Sequence, residues 1–197
     1  MKLQHKAWAL VLVIVGLCAG GAMLAARHIV LSSFERIEAE RAEREGLRAL
    51  RVLDQQRQAL AATARDYAFW DEAVAFVQGR QPGFFRDNFD AENLDYLRIS
   101  QVLVYDARGR VLASAMPSGE ALAPVPLNAQ LSLRPLVMPV LASHDPKAVV
   151  QTLRVLDGVL EMVVVAAVHS PQHAARGGQG AVVMVRRLDS AGLEQFG

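Results

Sequence analysis

The sequence contains a single cysteine, Cys18, among its 197 residues. An intramolecular disulfide bond needs two cysteines, so the folded part of the chain must be stabilised by packing. Lysine and arginine together number 21 and aspartate and glutamate number 20, which leaves a formal charge of +1 and no excess of either sign. We therefore expect no nucleic acid partner, because nucleic acid binding needs a strongly basic surface.

The sequence also lacks the motifs of common catalytic and metal sites. It has no nucleophile motif and no phosphate-binding glycine loop. His169 and His173 are four residues apart, but Pro171 between them opposes the helix that would bring two metal ligands together. An exported enzyme would require Asp66, Asp71 and His169 to converge, and no motif supports that arrangement. We predict no catalytic residue, no metal and no cofactor.

One long apolar run is present, since residues 7–26 contain no charged side chain. A helix of about 20 such residues crosses the hydrocarbon core of a bilayer. Lys2 and Lys6 precede the run and Arg27 alone follows it, which favours a cytoplasmic N-terminus. A cleaved signal peptide is the alternative, but its apolar core usually has about 7–15 residues. We predict that residues 1–27 are a cytoplasmic N-terminus and a transmembrane anchor.

Residues 28–64 contain no proline and alternate acidic with basic side chains, which is typical of a long solvated helix. Several apolar side chains in and after this segment are spaced by three or four residues, a pattern compatible with pairing against a second helix. We predict a helical stalk that forms a homodimer. The alternative is a single helix that lies on the sheet of its own domain. The side chains concerned are Leu50, Leu53, Leu60, Ala64 and Tyr67.

The most distinctive segment follows the stalk and sets two acids among aromatic side chains. Asp66 and Trp70 are four residues apart, as are Tyr67 and Asp71, so each pair is predicted to lie along one stripe of a helix. The helix is predicted to end at residues 79–83, where glycine and proline break it.

Two interpretations of this segment remain open. If Asp66, Trp70 and Asp71 line a cavity, the carboxylates could accept hydrogen bonds from an amine or polyol and the indole could attract a cation. The alternative, which we favour, is structural: Asp71 ties the helix to nearby backbone amides while Trp70 fills the core.

Residues 65–197 are predicted to form an α+β domain with a five-stranded antiparallel sheet and helices on one side. An Asp-Gly turn at residues 157–158 is the strongest hairpin signal, and Asp90 is a suitable N-cap for a short helix. Six prolines make residues 117–146 the hardest part to assign, and we predict a loop with a short helix there. The predicted strands are residues 101–106, 111–114, 149–156, 159–168 and 181–188.

Three further residues are candidates for ligand contacts, each with a structural alternative. Asn88 could contact a ligand or brace a loop. Tyr105 could offer its hydroxyl group or pack in the sheet. Arg186 and Arg187 lie on opposite faces of the last strand, so Arg186 could turn inward and bind an anion while Arg187 is solvated.

Taken in order, these residues resemble the type-four CHASE domain, an extracytoplasmic sensory module of bacterial and archaeal signalling proteins. The resemblance covers residues from about 60 to 195. The residues that carry it are Asp66, Ala68, Trp70, Asp71 and Phe76, then Asn88, the 104–111 hairpin with Asp106 and Gly109, and the segment 185–189.

The resemblance implies a PAS- or Cache-like sensor that stands between two membrane helices and regulates a cyclic-di-GMP enzyme or a two-component histidine kinase. We therefore expect the C-terminal domain in the periplasm, or outside the cell, of a bacterium with the anchor in its inner membrane. Because no second apolar span and no output motif follow, we expect this chain to be the N-terminal part of a longer transducer. The predicted function is sensing of a small-molecule ligand or an envelope cue, and the alternative is a membrane-tethered scaffold.

Overall fold

The computed structural model describes residues 2–119, 121–143, 145, 147–170 and 178–188. The chain divides into two compact units, Met1–Arg51 and Val52–Gly197. The first unit is helical, and helix α1 (Lys2–Ala68) begins in it. Among the residues described, no helix combines the length and the hydropathy that crossing a bilayer requires. The membrane span predicted over residues 7–26 is not confirmed.

The second unit contains the end of α1 and ten further elements. Three short helices follow α1: α2 (Asp71–Val77), α3 (Phe84–Asn88) and α4 (Ala91–Tyr96). The remaining elements are β1 (Gln101–Asp106), β2 (Val111–Ser118), β3 (Ala121–Ala123), α5 (Leu127–Ala142), β4 (Val149–Leu156), β5 (Val159–Val168) and β6 (Gly180–Leu188).

The strands form one antiparallel sheet in the order β3-β2-β1-β6-β5-β4. The prediction of an α+β fold is confirmed, but the strand count is wrong, because the described residues contain six strands rather than five. The additional strand, β3, pairs with an extension of β2, where Met116 lies opposite Ala123. It was missed because three residues are too few for an alternating pattern to be visible.

Both faces of the sheet are covered, so the prediction of helices on one side is wrong. Val102 and Val104 of β1 point to the face covered by α1 to α4, called here the α1 face. Leu103 and Tyr105 point to the face covered by α5, called here the α5 face. Because β5 and β6 are central in this double-sided core, most of their side chains are buried and they appear in the sequence as continuous apolar runs.

Helix α5 forms despite Pro135 and Pro139 within it. A proline inside a helix removes a hydrogen bond and disturbs the preceding turn, at a cost of about 3 kcal/mol. Four side chains of α5 are buried against the α5 face, and this packing offsets the cost. They are Ala129, Leu133, Val137 and Val140.

Helix α1 ends at Ala68, so the prediction of a continuous helix through residues 65–77 is wrong. Trp70 is extended, with φ −82° and ψ 143°, and precedes the first turn of α2. The carbonyl oxygen of Ala68 accepts a hydrogen bond from the backbone amide of His169, 3.2 Å away. In a continuing helix, the carbonyl oxygen of Ala68 would accept a hydrogen bond from an amide four residues later. Here it accepts from His169 instead, and the local sequence around Ala68 gives no sign of this tertiary contact.

The last turns of α1 pack within their own unit. Leu60 and Ala64 are fully buried on the α1 face, and Leu53 and Tyr67 pack partly against it. For these residues the alternative interpretation of the stalk pattern holds, since they face their own sheet. Leu50, in the first unit, is 63% exposed. The boundary predicted between residues 64 and 65 stays a prediction.

The predicted turn and cap are confirmed. Asp157 and Gly158 have φ values of 52° and 78°, and Leu156 lies opposite Val159 in the hairpin that they close. Positive φ at both central positions is the backbone geometry that favours Asp-Gly in a two-residue hairpin turn. The side chain of Asp90 accepts a hydrogen bond of 2.7 Å from the amide of Asn93 and so caps α4.

Candidate functional site

The junction between α1 and α2 is hydrogen-bonded to the residues that follow β5. The amide of His169 bonds to Ala68, as described above, and the hydroxyl of Ser170 donates a hydrogen bond of 2.8 Å to the carboxylate of Asp71. Both bonds join segments about a hundred positions apart in sequence, since Asp71 and Ser170 are separated by 99. The end of α1 is thus positioned by the end of β5.

A cavity of about 500 Å³ lies beside this junction, between the last turns of α1 and strands β4 and β5. Its volume falls within the range of about 300–1,000 Å³ that is typical of small-molecule sites. Most of its wall is apolar, with a few ionisable groups. The lining residues are Ala62, Arg65, Asp66 and Phe69 from α1 and its end, Lys147 to Val149 before and at the start of β4, Ala166 and Ala167 of β5, and His169.

The charged groups of this cavity are not engaged in the fold. The side chains of Arg65, Asp66 and Lys147 form no hydrogen bond or ion pair with any residue that the structure describes. All three residues are exposed, so water can satisfy their charges, and each side chain can reach a ligand without giving up a contact within the fold.

His169 is a further polar group in the cavity wall, and only 7% of it is exposed. Its Nδ1 lies 3.0 Å from the carbonyl oxygen of Ala167, and its ring meets that of Phe69 edge to face at 4.7 Å. Because a carbonyl oxygen can only accept, Nδ1 is assigned the proton, and Nε2 of the neutral ring is an acceptor. Within the described part of the chain, Nε2 has no hydrogen-bond partner.

A second cavity of about 380 Å³ adjoins the first and shares Arg65 and Lys147 with it. Ser143 and Asp145 contribute to its wall. The carboxylate of Asp145 accepts a hydrogen bond of 2.9 Å from the backbone amide of Lys147 and so shapes the loop that carries this lysine. The two cationic side chains therefore stand where the two cavities meet.

Of the predicted site residues on the Asp-aromatic segment, only Asp66 lines this cavity. Trp70 belongs instead to an aromatic cluster, with its ring 4.8 Å from that of Tyr67 and 6.4 Å from that of Phe84. Asp71 is bonded to Ser170 and begins α2. The break after Ala68 separates these side chains, so the predicted stripes Asp66–Trp70 and Tyr67–Asp71 do not form.

Asn88 and Tyr105 are engaged elsewhere in the fold. The side-chain amide of Asn88 donates to the backbone carbonyl oxygen of Phe84 at 2.8 Å, and the backbone carbonyl oxygen of Asn88 accepts from the side-chain amide of Asn93. Tyr105 is buried on the α5 face, and its hydroxyl donates to the carbonyl oxygen of Gln130 at 3.3 Å. Burial raises the pKa of Tyr105 to about 12, although nearby arginines oppose the shift.

Arg186 binds backbone carbonyls and an amide rather than an anion. Its guanidinium donates to the carbonyl oxygens of Leu97 and Arg98 at 2.8 and 3.1 Å, and to the side chain of Gln56. Burial lowers the pKa of Arg186, and the nearby Arg98 adds to the effect. Arg187 is exposed, as expected. His173, considered above as a partner of His169, lies outside the described residues, as does Asp189.

Sequence reasoning missed Arg65 and Lys147, and it considered His169 only as a metal ligand or catalytic group. No local pattern could have identified them, since the helix, the loop and the strand end that carry them meet only in the folded domain. It also missed the ion pair of Arg154 with Glu161, whose Nη2 and Oε2 atoms are 2.8 Å apart. A signal for that pair was present, because the two residues lie opposite each other across the Asp-Gly turn.

The comparisons with known proteins agree with this architecture. The family model of the CHASE4 domain matches residues 52–197 of this chain. The crystallised extracellular domain of vpHK1S-Z8, a protein named as a histidine kinase, superposes with a TM-score of 0.53 at 9% identity, covering 80% of this chain and 59% of that one. At this identity the likeness shows the fold alone.

A domain of a sensory box/GGDEF family protein from Vibrio parahaemolyticus gives a TM-score of 0.42 at 9% identity, covering 73% of this chain and 63% of that one. This chain therefore spans less than two thirds of either solved structure. The comparison with curated proteins found no match.

Proposed function

The chain belongs to the CHASE4 family of extracellular sensory domains, as its resemblance predicted, and from that premise we propose that residues 52–197 sense a small ligand or an envelope cue and signal through α1. CHASE4 domains are sensory rather than catalytic, which agrees with the prediction that this chain is not an enzyme.

The observation that carries the proposal is the position of the larger cavity beside the end of α1. A ligand there would touch α1 through Arg65 and Asp66, and Phe69 just after its end. It would touch the sheet through Val149 and its neighbours at the same time. A ligand shifts a conformational equilibrium only if it binds two states with different affinity. Contacts with both elements provide that difference, because any shift of α1 against the sheet changes them.

We further propose that residues 7–26 anchor the chain in the inner membrane, with the N-terminus in the cytoplasm and the sensory unit in the periplasm. Two features support this: the uncharged run itself, and the exposure of its apolar side chains, such as Leu12, Leu17 and Met23, at 70%, 71% and 77%. Protease added to spheroplasts should digest residues 52–197. Protection of that unit in spheroplasts, with digestion only after lysis, would contradict the proposed topology.

The output is proposed to lie in a cytoplasmic part of a longer protein, as a cyclic-di-GMP synthase or phosphodiesterase or a histidine kinase. The name of vpHK1S-Z8 supports a kinase by analogy of fold. The chain is proposed to dimerise through α1 before Arg51, where Leu50 is exposed. In a Cys18→Ser background, Leu50→Cys should form a disulfide-linked dimer in membranes, whereas Tyr96→Cys, at an exposed position on α4, should not.

Sensing is tested by the melting temperature of the full chain in detergent against amino acids, amines, organic acids, sugars and divalent cations. A ligand that binds only the folded state stabilises it by about 2.7 kcal/mol at a hundred times its Kd, so binding should raise the melting temperature measurably. If no compound in the panel shifts it, the scaffold interpretation is favoured over ligand sensing.

A further inference from the structure

We propose that the larger cavity binds a small organic monoanion with an apolar body, whose carboxylate lies between Arg65 and Lys147. The inference rests on the proposed sensory function and specifies the ligand class. It takes its support from the charges of the cavity, the free acceptor on His169 and the apolar wall.

The charge of the cavity favours one negative charge on the ligand. In the wall of the larger cavity, Arg65 and Lys147 carry two positive charges and Asp66 one negative charge, an excess of one. The carboxylate of Asp145 lines the adjoining cavity instead, where it accepts a hydrogen bond from the amide of Lys147. Neither cation is paired within the described residues. A carboxylate between them would gain charge-assisted hydrogen bonds, and the arginine fork matches carboxylate geometry. A doubly charged anion would meet Asp66 without a compensating cation.

His169 and Phe69 specify the rest of the ligand. With the proton on Nδ1 held toward the carbonyl oxygen of Ala167, Nε2 can accept a hydrogen bond from a ligand hydroxyl or N–H group. Phe69, which is 43% exposed, offers its ring to an apolar body, and Ala148 and Val149 continue the apolar wall. An apolar body that covers these side chains contributes about 25 cal/mol for each Å² removed from water.

The charge requirement can be isolated with three compounds of nearly the same shape. Phenylacetate, phenylacetamide and phenethylamine share a phenyl ring and differ in charge. Calorimetric titration of the full chain in detergent should show phenylacetate binding about tenfold or more tightly than the other two, because only it can form charge-assisted bonds with both cations. Tighter binding of phenethylamine, or equal binding of phenylacetamide, would overturn the proposed ligand class.

Side-chain substitutions locate the binding site. Arg65→Ala and Lys147→Ala should each weaken phenylacetate binding about tenfold or more, because each removes a charge-assisted contact. Arg108→Ala, at an exposed arginine outside this cavity, is the matched control and should leave the affinity unchanged. Asp66→Asn should leave it unchanged or raise it, since a like charge is removed.

The outcomes separate this inference from the sensory function. If phenylacetate fails to bind, or if Arg65→Ala binds it as well as the unmodified chain does, the ligand class or its place in this cavity is wrong. Sensing would still stand if another member of the wider panel raised the melting temperature. If no compound of any class did so, both proposals would fail together.

Discussion

The buried ion pair of the α5 face and the charged groups of the cavity differ in their partners. On the α5 face, Glu161 is 2% exposed and pairs with Arg154, which also donates to Ser132 at 2.7 Å. On the α1 side, beyond the edge of the packed core, Arg65 and Asp66 have no partner among the described residues. The contrast follows from burial: Glu161 is removed from water and needs a partner, whereas Arg65 and Asp66 are exposed, are solvated without one and stay accessible to a ligand.

Two side-chain atoms on the α5 face have no hydrogen-bond partner within the described structure: Oε1 of Gln101 and Nη2 of Arg154, although Nη2 lies 2.8 Å from Oε2 of Glu161 in the ion pair. Gln101 is 7% exposed and lies on the same face of β1 as Leu103 and Tyr105, toward α5. A buried acceptor without a partner costs about 1–3 kcal/mol. Neither atom reverses the contrast, because the charges of Arg154 and Glu161 on that face are paired.

The largest effect is expected from breaking the ion pair of the α5 face. Glu161→Leu leaves the guanidinium of Arg154, whose side chain is 15% exposed, without its counter-charge and should lower the free energy of unfolding by about 3–5 kcal/mol. Urea unfolding followed by circular dichroism measures the loss. The double variant Arg154→Leu/Glu161→Leu should recover much of it, and a double variant no more stable than Glu161→Leu would contradict this account.

The apolar cores of the two faces should respond alike. Leu60 on the α1 face and Leu133 on the α5 face are both fully buried. Replacing either by alanine removes buried methylenes and leaves a cavity, with an expected cost of about 2–5 kcal/mol each. The same unfolding experiment compares them. A loss below about 1 kcal/mol for Leu133→Ala alone would mean that α5 is only loosely docked.

Asp106 offers a bonded carboxylate to compare with Asp66. Burial acts to raise the pKa of Asp106, but hydrogen bonds from Arg110 and Arg108 outweigh it and lower the pKa overall. A lowered folded-state pKa stabilises the fold above the unfolded-state pKa of about 3.9 and loses that effect as the pH falls further.

We therefore expect Asp106→Asn to cost about 1–3 kcal/mol at pH 7, because it weakens hydrogen bonds to a charged acceptor. The difference from the unmodified chain should shrink below about pH 4. Unfolding free energies measured across this pH range test both statements. A cost independent of pH would show that the carboxylate charge of Asp106 is not what stabilises the turn.

The smallest effects on stability are expected in the cavity. Arg65→Ala and Asp66→Asn remove groups without partners among the described residues, so each should change the free energy of unfolding by no more than about 0.5 kcal/mol. Calorimetric melting of the two variants beside Glu161→Leu measures the contrast directly. A loss above about 2 kcal/mol in either cavity variant would assign that group a structural role and remove the distinction between the cavity and the ion pair of the α5 face.

The parts of the fold that local sequence specifies were predictable, and the parts set by tertiary contacts were not. The hairpin at Asp157-Gly158 was predictable because Asp and Gly readily adopt the positive φ values that its two-residue turn requires. The end of α1 at Ala68 was not, because the amide that binds its carbonyl oxygen comes from His169. Helix α5 was underestimated since its prolines oppose a helix that only packing stabilises.

The candidate site follows the same division. Asp66 could be singled out from its place among aromatic side chains, but its partners in the cavity could not. Arg65 precedes Asp66 on α1, while Lys147 lies just before β4 and His169 lies just after β5, at the open end of the β4–β5 hairpin. Trp70 and Asn88 have residue types common in binding sites, and only their contacts show that they pack or brace instead.

The most direct test of the central claim is hydrogen exchange at the end of α1 with and without phenylacetate. Phenylacetate should slow exchange in peptides that contain Phe69 and His169, whose amides bond to the carbonyl oxygens of Arg65 and Ala68. Neither phenylacetamide nor the Arg65→Ala variant with phenylacetate should show this change. Unchanged exchange at both amides with phenylacetate bound, or equal protection in Arg65→Ala, would contradict the claim that a ligand in this cavity acts on α1.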